Sequence, residues 1–429
     1  TPEIYTLSLH DALPISRRKQ LGQPSALIHL VAGKMLGHAI TLPSETPAAI
    51  SDEEIWSLFH ASADSPANQH RPQNAESELF HDAGFAILRS GDQAGNRLHL
   101  ALNYGKGTPS HGHMDKLAFN IITFGYDLTA DIGYPASWIA GKCRGWETHS
   151  LSHATVLIDQ QNQTYAPGSL RGYFSGPGIQ IIEAEAPRAY PDLRPVYRRG
   201  MMVIEKDSLH RYIVDVFRVR GGRCYDYSFH SLADDDGTGL TVAAQKNNLQ
   251  WTRQPQGTLA HPDSTYGTTP GYGWLTDVRS ATSDESILAQ WRIGGTSIGI
   301  VQHMIGEEGT TFYMARGEGE GIIGQSPWDP YLVVRRLDDQ NQGRTFVAVY
   351  EPFQTKPLIE QVKVINVDSP RSSRTILAME IRFIDGEQHT VFIGENENSA
   401  LAAADASWRF RGQWGWWNQK TAAFLANGH

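Results

Sequence analysis

From about residue 78 onward the chain is a succession of short apolar segments, each stopped by Gly, Asp or Asn. They read GFAILRSG, RLHLALNYG, LAFNIITFGYDLTADIG and ATVLID, then IQIIEAEAP, RRGMMVIEKD, RYIVDVFRVRGG and YDYSFHSL. Segments of this length, rich in β-branched and aromatic residues and bounded by turn formers, read as strands. The 41 Gly and 22 Pro scattered between them supply the turns. The fold class that follows is mainly β: a large two-layer antiparallel β-sandwich with a smaller β domain behind it. Strands resume after a Thr-, Gly- and Pro-rich stretch from Trp251 to Trp274, which reads as a long surface loop. The last group, TFVAVYEPF, IEQVKVINV, RTILAMEIRF and HTVFIGE, follows the polar turn Asp338 to Gly343.

The rest of the chain has another texture. In residues 17–60, Leu27, Leu30, Val31, Met35 and Leu36 recur at helical spacing. Ser51-Asp52-Glu53-Glu54 reads as an N-cap and acidic first turn for Ile55, Trp56, Leu58 and Phe59. Residues 61–76 have the composition of an exposed linker. The first sixteen, TPEIYTLSLHDALPIS, resemble a tract produced when sequencing-adapter DNA is translated by mistake, and they lack the charged start of a secretory signal. The expected division is therefore 1–16, a non-native tract; 17–76, helices and linker; 77–335, the large sandwich; and 336–429, a small C-terminal β domain. If the tract is foreign, the lack of a targeting signal says nothing about compartment.

Bulk properties narrow the function. At 429 residues, with 40% hydrophobic and 10% aromatic content, the chain can bury substantial cores. A net charge of −9 with no long basic run argues against nucleic acid as a partner. No apolar run approaches the roughly 18–20 residues that cross a bilayer. The two cysteines, Cys143 and Cys224, form no C-x-x-C motif, and the sequence leaves open whether they pair.

The chemistry-bearing stretch is His111-Gly112-His113-Met114-Asp115, followed by Asp131 and His153. Imidazoles plus a carboxylate form a ligand set that zinc accepts, and three protein ligands leave one position open. If residues 111–113 are extended, both rings point to one face. Each residue also has a plainer reading. A single His is most often an ordinary strand residue. An Asp before Ile-Gly-Tyr-Pro often only shapes a turn. Tyr134 could pack on Pro135, and His230 could be a strand residue with a backbone partner. Trp138 and Trp146 are either core residues or platforms for sugar rings. Arg144, Arg171, Arg188, Arg194, Arg198 and Arg199 could each grip a carboxylate or sulfate in a bidentate fork, or be solvated surface.

Taken together, GFAILRSG, HGHMDKLAFNIITFGYDLTADIGYP and SHATVLID resemble the heparinase II/III family of polysaccharide lyases, over roughly Leu79 to Ser231. The resemblance implies an α/α toroid before the two-layer β domain, with residues 17–60 as its remnant. It implies zinc as cofactor, held by His113, Asp131 and His153. It places His111 in the catalytic cleft and offers Tyr134, the sole tyrosine between Asp131 and His153, as the acid. Arg144, Trp138 and Trp146 are the expected substrate contacts. The implied reaction is β-elimination on an acidic, uronate-containing polysaccharide, and the implied location is periplasmic or secreted. The toroid residues that would hold the substrate carboxylate and act as base have no counterpart in residues 17–76, so this chain alone is expected to have little lyase activity.

Two other readings compete. A cupin-like metal enzyme also carries His-x-His, but it needs a following Glu, and none occurs between 114 and 130. A non-catalytic carbohydrate-binding β-sandwich would leave the histidines without a chemical role.

Overall fold

Two kinds of strand make up the computed structural model. It describes residues 76–427 apart from 92–95, 108–111, 130, 133–142, 234–238, 256–258, 260–270, 320–327, 366, 369–376, 404–408 and 422. The expected helices and linker of 17–76 fall almost wholly outside those residues, as does the tract 1–16. In the first kind of strand, burial alternates: Phe119–Thr123 and Ile287–Arg292 hide every second residue, as the two-residue repeat of a one-sided sheet requires. In the second kind, burial is nearly continuous. Arg211–Arg220 and Arg344–Gln354 are covered on both faces. Strands covered on both faces must lie between two layers, and here buried charged residues such as Asp215 and Arg218 interrupt the apolar positions.

Those doubly covered strands sit in the middle of an eight-stranded antiparallel sheet. Its order from edge to edge is Leu240–Ala244, Ile287–Arg292, Ile298–Met304, Arg344–Gln354, Arg211–Arg220, Val196–Glu205, Ile179–Glu185 and Ser169–Gly176. One face packs on a six-stranded sheet whose order is Thr252–Arg253, Thr276–Thr282, Thr311–Glu318, Trp328–Leu337, Cys224–His230 and Val156–Ile158. The same core takes in Leu88, Leu100 and Phe119 from a five-stranded sheet spanning Glu78 to Asp127. Phe229, Leu332 and Phe312 meet Met201, Phe217 and Tyr350 there. This is the expected two-layer sandwich.

The opposite face of the eight-stranded sheet is also covered. Met202, Ile204, Val214, Val216, Val347 and Val349 pack on Met379, Ile381, Val391, Ile393 and Trp414. The latter belong to a C-terminal five-stranded sheet that begins at Ile359. Each fully buried side chain of this size stabilises the fold by about 1.5–3 kcal/mol relative to exposure.

The strand Arg344–Gln354 differs from the grouping suggested by sequence. It pairs with Arg211–Arg220 on one side and Ile298–Met304 on the other, deep in the large sheet. The polar turn before it carries the chain between layers of the sandwich. Asp338 accepts from the N–H groups of Gln342 and Gly343 at 3.1 and 2.7 Å, and Gly343 takes φ +87°. A polar turn closed by such bonds signals chain reversal, which occurs within a domain as readily as between domains.

Candidate metal centre

Three side chains distant in sequence converge beside the sandwich. Asp131 lies between the two histidines: its Oδ2 is 2.7 Å from His153 Nδ1 and its Oδ1 is 3.6 Å from His113 Nδ1. The imidazole centroids are 5.1 Å apart at 37°. One ligand atom from each residue falls within 4.8 Å of the others, and all three residues are buried. Among the described residues no other such trio occurs.

None of the three sits in a regular strand. His113 lies in an irregular segment between Leu98–Asn103 and Phe119–Thr123. Its neighbour Met114 donates its N–H to Thr148 O at 3.1 Å and accepts from Ser150 Oγ at 2.5 Å. Those two bonds, not strand pairing, set His113 beside His153. His153 ends the short 3-10 turn Ser150–Ser152, with its N–H on Ser150 O at 3.2 Å. Tyr331 Oη donates to Ser152 O at 3.1 Å and Ser228 Oγ donates to Leu151 O at 2.7 Å, so this turn is fixed to the six-stranded sheet. Asp131 follows Thr129, whose Oγ1 accepts from Ile121 N at 2.7 Å. Asn120 Nδ2 donates to Thr129 O at 2.7 Å and completes that anchor.

The donor chemistry suits a divalent ion. Two imidazoles and one carboxylate match zinc in a site with one open position. His153 Nε2 is buried with no hydrogen-bond partner among the described residues, an arrangement that costs free energy unless something occupies the place. His149, one turn away, stays neutral: burial and the neighbouring His153 push it down to about 3. Its Nδ1 accepts from Leu151 N at 3.1 Å and caps the 3-10 turn. Sequence reasoning passed over His149; the pattern His-Ser-x-Ser-His, with a capping residue at its head, was the available signal. Asp131 and His153 open onto a small cleft also lined by Asn103, Asp115, Asn120 and His230. His230 stacks on Tyr331 at 4.4 Å and 17°.

Other sequence expectations fare differently. Trp146 is not a sugar platform: it is wholly buried, its Nε1 donates to Glu318 O at 2.6 Å, and its ring packs on Tyr331. It caps the outer face of the six-stranded sheet with Leu151, Tyr272 and Leu275, where a large ring gains more from burial than from exposure. Arg199 faces no ligand either. It is buried at 0% exposure against Asp215. Arg198 is held by Glu183 at 3.2 Å. Cys224 is free, and burial, then Asp226, pushes its thiol up to about 12. His111, Tyr134, Trp138 and the side chain of Arg144 lie outside the described residues; the backbone of Arg144 belongs to the π-type turn Cys143–Glu147.

The family model described as Heparinase II/III-like, C-terminal, matches residues 72–301. The chain is similar to an exo-oligoalginate lyase of Saccharophagus degradans, 23% identical over 43% of this chain and 30% of that protein. It is also similar to a heparin-sulfate lyase of Pedobacter heparinus, 23% identical over 39% and 25% respectively. Among solved structures, heparan sulfate lyase HepC from Pedobacter heparinus shares the fold with a TM-score of 0.53 at 15% identity, across 86% of this chain and 53% of that one. A mutant of that enzyme gives 0.52 at 14%, across 89% and 48%. The chain thus matches about half the length of these structures and less than a third of the curated relatives.

Proposed function

The chain belongs to the heparinase II/III-like family through its C-terminal domain, and from that premise we propose that it is the β portion of a polysaccharide lyase that binds zinc at His113, Asp131 and His153. The observation that carries this reading is the buried convergence of those three groups. Membership of a lyase family and the open sheets of the sandwich leave no support for a cupin barrel.

The proposed reaction is β-elimination on an acidic polysaccharide such as heparan sulfate or alginate, the classes named by the relatives. A base removes the proton on C5 of the uronate, the C4–O4 bond breaks, and an acid protonates the departing O4. The product carries a C4–C5 double bond. The uronate carboxylate must be neutralised or hydrogen-bonded for the C5 proton to leave. His113, Asp131 and His153 would hold a divalent ion, which would supply positive charge there and join the three loop ends. By the resemblance, His111 lines the cleft and Tyr134 is the acid. A polymer substrate too large to enter a cell supports a periplasmic or secreted location.

Metal analysis tests the centre. The purified protein is expected to hold about one zinc per chain, and Asp131→Ala to hold none. A wild-type protein that takes up no zinc on titration would sink the centre. The lyase reading is tested by ultraviolet absorbance of the unsaturated product. This chain alone is expected to turn over polyuronates weakly, and the whole protein readily, with His111→Ala abolishing turnover. A whole protein inert on both heparan sulfate and alginate would overturn the substrate class.

A further inference from the structure

The arginine at position 199 serves no ligand, yet it reaches both segments that carry the histidines. It projects from Val196–Glu205 into the core between the layers. All five guanidinium N–H donors are used, the full complement of this side chain. Nε and Nη2 form a fork on Asp215, at 2.8 and 2.6 Å. Nη2 also donates to Tyr227 Oη at 2.9 Å. Nη1 donates to two backbone carbonyls, Leu117 O at 2.7 Å and Ala154 O at 2.6 Å. Leu117 lies four residues after His113, and Ala154 directly follows His153. The guanidinium carbon also stands 4.3 Å from the centroid of Phe119.

Leu117 needs holding. Its φ is +62°, a left-handed conformation that a branched side chain seldom adopts unaided. No residue from 113 to 118 belongs to a strand; the segment's backbone meets the end of Leu98–Asn103 where Leu117 N–H donates to Asn103 O at 2.7 Å and Ala118 O accepts from Asn103 N at 3.0 Å. Thr155 Oγ1 and Gln163 Nε2 donate to Lys116 O from the same side, at 2.8 and 3.1 Å. The two loops are thus tied to each other by these bonds and to the sandwich by one buried cation.

We propose that Arg199 is a positioning residue for the metal centre, a clamp whose Nη1 holds the Leu117 and Ala154 ends of the His113 and His153 segments together, alongside the bonds made by Met114 and Lys116. The inference rests on the proposed zinc site for its functional meaning, but its physical content is independent of any ion. Lysine cannot replace it: an ammonium has three N–H donors and no planar fork, against the five contacts that the guanidinium makes.

Hydrogen–deuterium exchange on the metal-free protein tests the clamp. Arg199→Lys is compared with wild type and with Val349→Ala, a buried substitution on the opposite face of the same sheet. Peptides covering 113–118 and 153–156 are expected to exchange at least tenfold faster in Arg199→Lys, but not in Val349→Ala. Zinc affinity, read by competition with a chromogenic chelator, is expected to weaken about tenfold, as when outer-sphere partners of metal ligands are lost. Exchange that rises evenly over all strands, or unchanged exchange in both peptides, would overturn the clamp. Should wild type bind no zinc, the metal reading fails and the exchange result still decides Arg199. If Arg199→Lys does not fold, Tyr227→Phe removes one partner of the guanidinium and gives the same comparison at smaller amplitude.

Discussion

His113, Asp131 and His153 define the residue scale, because their effect is local and their replacement is diagnostic. An ion that binds only the folded chain adds about 2.7 kcal/mol when its free concentration is a hundredfold above the dissociation constant. Added zinc should therefore raise the melting temperature of wild type and leave His113→Ala unmoved. An equal rise in both proteins would place the ion elsewhere. Gly200 makes a second residue-level case. A Cβ there would meet Trp414 Cζ2 at 2.2 Å, and Trp414 is buried between the large sheet and the C-terminal sheet. Gly200→Ala should lower stability by about 1–3 kcal/mol through overpacking, read as a lower denaturant midpoint at unchanged slope. A midpoint equal to wild type would mean that the indole can shift freely.

At the scale of elements, the strand Arg344–Gln354 combines packing with titration. Its near-end residue Glu351 is buried and accepts from the N–H groups of Leu358 and Ile359 at the start of the C-terminal sheet. Burial pushes its carboxyl up to about 7, against the pull of those two donors. The folded pKa is raised, so the folded chain holds the proton more tightly than the unfolded one. Stability from this group is full below the usual carboxylate range and is lost as pH rises through about 7. Wild type should lose on the order of 2 kcal/mol relative to Glu351→Gln between pH 5 and pH 8. Parallel pH profiles of the two proteins would refute this. His149 and His303 work in the opposite sense. Burial, aided for His149 by His153, lowers them to about 3 and about 4, so their contribution is lost as pH falls below the usual imidazole range. The element that sequence reading grouped wrongly was this same strand. Phe346 to Tyr350 is apolar at successive positions, and such a run states that both faces are covered without stating by what.

For the whole molecule, the large sheet is a shared wall. The family-bearing sandwich lies on one face and the C-terminal sheet on the other. A chain ending at Gln354 would expose Met202, Ile204, Val214, Val216, Val347 and Val349 as one apolar surface, of the kind that drives association. Such a truncation should aggregate or bind a hydrophobic dye, whereas the longer chain should not. A monodisperse truncated protein would show that the C-terminal sheet is dispensable to the sandwich. Ion pairs add to this junction: Lys206 reaches Asp385 at 2.7 Å and Glu387 at 3.3 Å, but partial exposure keeps their contribution small.

The class of fold is legible in the chain alone, because strand texture and turn residues act over a few positions and need no distant partner. The types of ligand available at 113, 131 and 153 were equally legible, since donor chemistry belongs to the side chain. That His113 stands in a loop, that Trp146 is core, and that the guanidinium at 199 joins two loops emerge only from the folded chain. Each of these depends on burial among residues tens to hundreds of positions away, and burial decides whether a ring or a charge is kept for packing or offered to a ligand.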